Sequence, residues 1–169
     1  MGFMIFDGKG FAAKLEEKLR QKVMVVGRVP RLVILVSAGN ESGKIYSKKK
    51  KEMGDRIGIK VEIVEILDLK EQVVNLANDN TIDGLMVQLP LLRRGFAGQA
   101  VLVGKEETQK ILDLIPVKKD VDGLTSENFR LIATGEQAFL PATIKAVGKV
   151  MDEAIREIGL DIERMKVAV

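Results

Sequence analysis

The sequence predicts an α/β fold of three layers, an αβα sandwich in which a mainly parallel sheet lies between helices. Strand-like apolar segments alternate with amphipathic segments, as is typical of parallel β-α-β units. Arg31–Val36 (R-L-V-I-L-V) is a continuous apolar run, as expected of a strand buried on both faces. Gly84–Leu89 has the same character and is stopped by Pro90. Ligands of such sheets bind at the carboxyl ends of the strands, so we expect functional residues there.

The first half of the chain supplies the other elements of this pattern. Apolar residues four positions apart predict an amphipathic helix over Gly10–Lys22, before the first strand. Ser37–Asn40 is the loop after that strand, and spaced apolar residues predict a helix over Ser42–Arg56. A strand at Val61–Ile66 and a helix at Leu69–Asn78 then lead to the third strand.

The second half is less regular, and its elements are bounded by Gly and Pro. Gly159 is a good stop for the last helix. The predicted elements are a glycine-containing loop at Leu91–Gly104, a helix at Lys105–Ile115, an acidic turn at Lys119–Gly123, a short helix at Asn128–Ala133, a long helix that follows Pro141-Ala142-Thr143 and runs to about Ile158, and the start of a strand at Lys166–Val169.

The composition excludes several kinds of chemistry. The 169 residues suffice for one domain with a substantial core. The chain has no Cys and no His, which excludes disulfides, thiol nucleophiles, Cys/His zinc sites and histidine acid–base catalysis. Its 27 basic and 24 acidic residues are too balanced to imply nucleic-acid binding by themselves. We see no signal peptide and no membrane span, so the cytoplasm is the expected location and no membrane partner is expected.

The stretch Ser42–Lys51 (S-G-K-I-Y-S-K-K-K-K) holds the only tyrosine and the densest run of lysines. Residues four apart share a helix face, so Tyr46 and Lys50 point the same way. An aromatic ring beside an amine suits a flat polar heterocycle, with the ring available for stacking and the amine for proton transfer. The alternative is that Lys48–Lys51 form a solvated face that binds phosphates of nucleic acid or another polyanion.

Three separated segments fit one known pattern. They are Tyr46-x-x-x-Lys50, the V-Q-L-P-L of Val87–Leu91, and the K-D-V-D-G of Lys119–Gly123 with Asn128 after it. In this order and near this spacing they resemble the bifunctional methylenetetrahydrofolate dehydrogenase/methenyltetrahydrofolate cyclohydrolase family. The resemblance extends from about Phe6 to the end of the chain.

The resemblance implies a role for each matching position. Tyr46 would stack on the folate, and Lys50 would handle proton transfer and help to position the substrate. Gln88 would hydrogen-bond Lys50, and Asp122 would bind the edge of the pterin. Further substrate contacts are implied at Leu89, Pro90, Pro141 and Thr143.

The family's activity is the oxidation of 5,10-methylenetetrahydrofolate with NAD or NADP, followed by hydrolysis of the methenyl product to 10-formyltetrahydrofolate. This resemblance implies a role in one-carbon metabolism and purine biosynthesis, a folate substrate, no metal, and a homodimer for the full-length enzyme. A folate-binding domain without catalysis is an alternative reading of the same residues.

The sequence also departs from the family pattern. Gly43 stands where the family usually has serine, Ala142 and Ile144 replace Cys and Pro of a P-C-T-P turn, and the loop after Leu91 is longer. No G-x-G-x-x-G is present. We therefore expect a catalytic domain at 1–163 and, at 164–169, only the first strand of a Rossmann domain. Such a chain is expected to have no cofactor-binding residues and no dehydrogenase activity by itself.

Overall fold

The computed structural model describes residues 6–66 and 69–159. Its central sheet has three parallel strands in the order β2-β1-β3. Their bounds are β1 (Arg31–Ser37), β2 (Lys60–Ile66) and β3 (Gly84–Gln88). In the middle of the sheet, Ile34 of β1 lies opposite Ile63 of β2 and Met86 of β3. The three predicted strands and their parallel arrangement are confirmed.

Six helices are present in the part of the chain that the structure describes. The helix predicted to begin at Gly10 begins two residues earlier, because the Asp7 carboxylate caps it by accepting a hydrogen bond from the Gly10 amide at 2.9 Å. The helices are α1 (Gly8–Val25), α2 (Glu41–Ile57), α3 (Leu69–Asn78), α4 (Lys105–Leu112), α5 (Ser126–Thr134) and α6 (Ala142–Ile158).

The apolar core lies on both faces of the sheet, as a three-layer fold requires. Alternate residues of β1 enter different clusters, because successive side chains of a strand point to opposite faces. Val33 and Leu35 pack in the cluster that includes residues of α3 and α4, whereas Ile34 and Val36 pack in the smaller cluster on the other face. On that other face α2 approaches β2 closely at Gly54, where a Cβ would collide with Val61.

The loop prediction for Leu91–Gly104 is wrong. This segment contains an antiparallel hairpin of β4 (Leu92–Arg94) and β5 (Ala100–Leu102), with a 3₁₀ turn at Phe96–Gly98. Buried residues close its base, where the Val103 amide donates to the Leu91 carbonyl at 2.9 Å. Strands of three residues are too short to show a period of two, which is why the pattern missed them.

The helix predicted to end at Ile115 ends at Leu112. Pro116 disfavours the helical region for the residue directly before it, so Ile115 is a poor helix residue. The turn is then held by Asp113, whose carboxylate accepts hydrogen bonds from the Ser126 amide and hydroxyl at 2.7 and 2.8 Å. The predicted strand at Lys166–Val169 and the predicted boundary after residue 163 lie outside the described residues.

No helix within residues 6–66 and 69–159 is long and apolar enough to cross a membrane.

Candidate functional site

The lysine-bearing helix α2 begins where β1 ends, at the carboxyl edge of the sheet. Asn40 is its N-cap, and the Asn40 Oδ1 accepts a hydrogen bond from the Gly43 amide at 2.8 Å. Asn is among the best N-cap residues because its short side chain pairs with an otherwise unsatisfied amide of the first turn. This arrangement carries Tyr46 and Lys50 past the end of the neighbouring strand β3.

Lys50 and Gln88 form the centre of the site. The Lys50 amine donates a hydrogen bond to Gln88 Oε1 at 3.0 Å and lies 3.8 Å from the Met86 sulfur. The Gln88 amide nitrogen donates to the Leu89 carbonyl at 3.0 Å, which turns the amide oxygen toward the lysine. Two residues that are 38 positions apart in the chain are therefore in direct contact, and the lysine amine has a fixed direction.

The segment after Gln88 is exposed at the same edge. Leu89 and Pro90 are joined by a cis peptide bond, and both side chains are accessible. On one side they border a mainly apolar cleft of about 650 Å³. Leu102 of the hairpin, Leu112 of α4 and Phe129 of α5 also line it. Tyr46, Lys50, Gln88 and Asp122 do not line this cleft; Leu89 and Pro90 are accessible directly after Gln88, the residue that the lysine contacts.

The acidic turn lies along the free edge of β3. Asp120 pairs with Leu85 as an isolated parallel bridge, and its buried carboxylate accepts three hydrogen bonds. The Gly123 and Thr125 amides donate to it at 2.9 Å each, and the Asn128 amide donates at 2.6 Å. Asp120 is therefore a structural residue that holds the turn, whereas Asp122 is left to face the site.

Asp122 is half-buried and has an unusual electrostatic environment. Burial raises the pKa of its carboxyl, the positive charge of Lys50 opposes that rise, and the negative charge of Asp120 adds to it. Within the described residues no group donates a hydrogen bond to Asp122, so its oxygens are available to a ligand. A carboxylate can accept two parallel hydrogen bonds from a flat donor edge.

The other predicted site residues lie at different distances from this centre. Pro141 is buried against the acidic turn, where a Cβ at Gly123 would be 2.9 Å from the Pro141 nitrogen. Thr143 is exposed in the first turn of α6 and forms no described hydrogen bond to the centre. Tyr46 is 60% exposed, with the Lys49 amine 5.9 Å from its ring centroid. Its ring is thus accessible to a ligand.

The lysine run does not form one basic face. Consecutive residues of a helix point about 100° apart, so four in a row spread around it. The Lys49 amine lies over Tyr46, and that of Lys50 bonds Gln88. The Lys51 amine lies 3.2 Å from an Asp55 carboxylate oxygen and donates to the Val61 carbonyl at 3.1 Å. This dispersal argues against a polyanion surface at Lys48–Lys51.

Sequence reasoning did not predict the structural roles of two buried groups. Asn128 is fully buried and joins the acidic turn to the segment before α6, because its side-chain oxygen accepts from the Phe139 amide at 3.0 Å. Ser37 is also fully buried, and its hydroxyl accepts from the Leu92 amide at 3.0 Å. A polar residue at the end of an apolar strand was the available signal for Ser37. Asn128 belongs to the motif that follows the acidic turn, but no local pattern indicates that it is buried and holds that turn.

The fold and site define a class of protein: an α/β domain with a glutamine-bound lysine and a half-buried aspartate at the carboxyl edge of a parallel sheet. Residues 6–122 match the family of tetrahydrofolate dehydrogenase/cyclohydrolase catalytic domains. The chain belongs to this family, and the match includes Tyr46, Lys50, Gln88 and Asp122.

Several relatives resemble the chain over most of its length. The bifunctional protein FolD of Caldanaerobacter subterraneus is 27% identical over 95% of the chain and 54% of the relative. The crystal structure of the bifunctional 5,10-methylenetetrahydrofolate dehydrogenase/cyclohydrolase from Thermoplasma acidophilum has a TM-score of 0.73 and 31% identity over 87% of the chain and 52% of that structure.

A silkworm 5,10-methylenetetrahydrofolate dehydrogenase shares the fold, with a TM-score of 0.77 and 24% identity over 95% of the chain and 53% of that structure. The chain spans about half the length of the curated relatives it matches.

Proposed function

We propose that this chain is the folate-binding catalytic part of an enzyme of one-carbon metabolism. The activity is oxidation of 5,10-methylenetetrahydrofolate with NAD or NADP and hydrolysis of the methenyl product to 10-formyltetrahydrofolate. The observation that carries the proposal is the 3.0 Å hydrogen bond from Lys50 to Gln88, with the Asp122 carboxylate in the electrostatic range of the same amine. Relatives of the chain are described as bifunctional enzymes of this kind.

Each side chain has a distinct task in this proposal. Asp122 accepts hydrogen bonds from the donor edge of the pterin, and the exposed Tyr46 ring stacks on the folate. Leu89 and Pro90 form the apolar border beside the lysine, and Pro141 and Thr143 contact the substrate from the start of α6. The burial of Asp122 strengthens its hydrogen bonds to the ligand, because fewer waters compete for the carboxylate.

Hydrolysis requires a group that accepts a proton from the attacking water. The water oxygen adds to the methenyl carbon, and its proton passes to the Lys50 amine. The bond from that carbon to N5 of the folate then breaks as the added hydroxyl becomes the formyl carbonyl and its proton is taken up by N5. Lys50 releases the proton that it accepted to solvent. Gln88 holds the lysine amine in position through its side-chain oxygen. The Lys50 side chain is therefore already ordered, and less of its conformational entropy is lost on reaching the transition state.

The remaining parts of the proposal concern the whole enzyme. We propose NAD or NADP as the hydride acceptor, a homodimer and a cytoplasmic location. We also propose the boundary after residue 163. The described residues offer no glycine-rich turn that fits a dinucleotide pyrophosphate, so we assign no residue of this chain to the cofactor. A chain restricted to 1–169 would then hydrolyse the methenyl compound without oxidising the methylene compound.

Folate binding is tested by calorimetric titration of the protein with tetrahydrofolate. We expect saturable binding by the wild type and its loss in Asp122→Ala. The control is Asp55→Ala, which removes another carboxylate that interacts with a lysine of α2. Binding that survives Asp122→Ala, or no binding by a folded wild type, would refute the proposal.

Catalysis is tested by following the hydrolysis of 5,10-methenyltetrahydrofolate spectrophotometrically. We expect Lys50→Met to lower the rate by at least 100-fold, which is the usual contribution of a proton-transfer group. Lys48→Met, on another side of the same helix, is expected to retain the wild-type rate. Equal rates in the two variants would remove Lys50 from the mechanism. Folate binding without hydrolysis in the wild type would favour the non-catalytic alternative.

A further inference from the structure

Asn40 is a buried polar residue with hydrogen bonds in two directions. It is 3% exposed, and its Oδ1 accepts from the Gly43 amide at 2.8 Å and from the Ser42 hydroxyl at 3.1 Å. Its Nδ2 donates to the Pro90 carbonyl at 2.9 Å. One side chain therefore caps the helix that carries Lys50 and also holds the segment that follows Gln88.

These two contacts join the two halves of the Lys50–Gln88 pair. The helix N-terminus sets where Lys50 lies along the edge of the sheet, because α2 is a rigid element of 17 residues. The Pro90 carbonyl is two residues beyond Gln88, and the Leu89 carbonyl between them accepts from the Gln88 side chain. A displacement of Pro90 would therefore also turn the Gln88 amide.

A second buried contact supports the same arrangement. The Ser37 hydroxyl, at the end of β1, accepts from the Leu92 amide at 3.0 Å. The junction of β1 and α2 thus holds the segment 88–92 at two points, through Asn40 and Ser37. Buried hydrogen bonds of this kind are costly to lose, because the group left behind has no water to pair with.

We propose that Asn40 is a positioning residue for the Lys50–Gln88 pair. It acts by fixing the distance between α2 and the strand-end segment, and it does not itself touch the substrate. N-capping alone does not account for the contact with Pro90, since a cap needs only the side-chain oxygen. The inference rests on the proposed function only where folate affinity is used to test it.

The test separates capping from positioning. Asn40→Ser retains a good cap, but serine is too short to reach the Pro90 carbonyl and has no amide donor. The matched control is Asp7→Ser, which makes a comparable change at the cap of α1. If Asn40→Ser does not fold, Asn40→Asp takes its place, because its carboxylate keeps the cap and lacks the donor.

The direct readout is the side-chain amide signal of Gln88 in ¹⁵N-correlated NMR spectra, assigned by its loss in Gln88→Glu. We expect Asn40→Ser to move this signal and Asp7→Ser to leave it in place. We also expect the dissociation constant for tetrahydrofolate to rise about tenfold in Asn40→Ser alone, the size of one well-placed hydrogen bond.

An unchanged Gln88 signal in a folded Asn40 variant would overturn the proposal, as would an unchanged folate affinity. If the wild type does not bind folate, the proposed function fails. The Gln88 signal then still decides whether Asn40 positions the pair.

Discussion

Gly123 should be among the least replaceable residues of the candidate site. Its φ is +68°, in the region that side chains with a Cβ rarely adopt. It also lies against the backbone of the segment before α6. A Cβ there would be 2.8 Å from the Leu140 carbonyl carbon and 2.9 Å from the Pro141 nitrogen, and would collide with the Phe139 carbonyl oxygen. Gly123→Ala therefore requires movement of one of two backbone segments.

Gly135 provides the matched control. It ends α5 with a φ of +73°, and a Cβ there would meet no other atom within 4 Å. Gly135→Ala therefore measures the conformational cost alone, about 1 to 2 kcal/mol. Gly123→Ala adds the loss of the contact between the two segments, including the hydrogen bond from the Phe139 amide to Asn128, worth about 1 to 3 kcal/mol.

The measurement is urea unfolding of both variants, followed by circular dichroism. We expect Gly135→Ala to lose about 1 to 2 kcal/mol of unfolding free energy and Gly123→Ala about 2 to 5 kcal/mol. Under conditions where both are folded, only Gly123→Ala should have lost affinity for tetrahydrofolate, because Asp122 moves with its neighbour. Equal destabilisation of the two variants would show that the close approach at Gly123 does not contribute to stability.

Three further outcomes are expected. Asp122→Asn should raise the unfolding temperature by about 1 to 3 °C at pH 7 while it abolishes folate binding. Burial raises the pKa of this carboxyl, so the gain in unfolding temperature should vanish as the pH falls below 3.8. A gain that persists below that pH would contradict this origin. Asp83→Asn should have the opposite effect on stability, because the hydrogen bond from Arg28 lowers the pKa of Asp83 from 3.8 to about 2. Asp83→Asn should therefore cost about 1 kcal/mol at pH 7 after allowance for solvent screening. The cost should shrink as the pH falls from 3.8 through about 2, where the folded-state carboxyl is half protonated, and unfolding at pH 7 and pH 2 checks this. Asn128→Ala should cost about 2 to 4 kcal/mol in the same assay, since it leaves the Phe139 amide unpaired; a loss below 1 kcal/mol would assign that contact little weight.

The central strands and the lysine helix could be predicted from the sequence because their signals are local. The apolar run of β1 is buried on both faces, so nearly every residue in it is apolar and the run is visible without any partner. Helix α2 has an amide cap, spaced apolar residues and Gly58 with a φ of +87° directly after its end. The residue types of the site, Lys50, Gln88 and Asp122, could likewise be named from motifs.

Only the tertiary structure decided how those residues work together. The sequence contains four consecutive lysines, and the packing of α2 on the sheet selects Lys50 as the one whose amine contacts Gln88. The acidic turn contains two aspartates, and hydrogen bonds from the Gly123 and Thr125 amides make Asp120 structural while Asp122 remains available. The role of Lys50 depends on a contact with a residue 38 positions away. The roles of the two aspartates depend on which carboxylate is buried and hydrogen-bonded within the turn. The motifs already name Lys50 and Asp122, but local propensity and periodicity do not contain the contacts that give each residue its role.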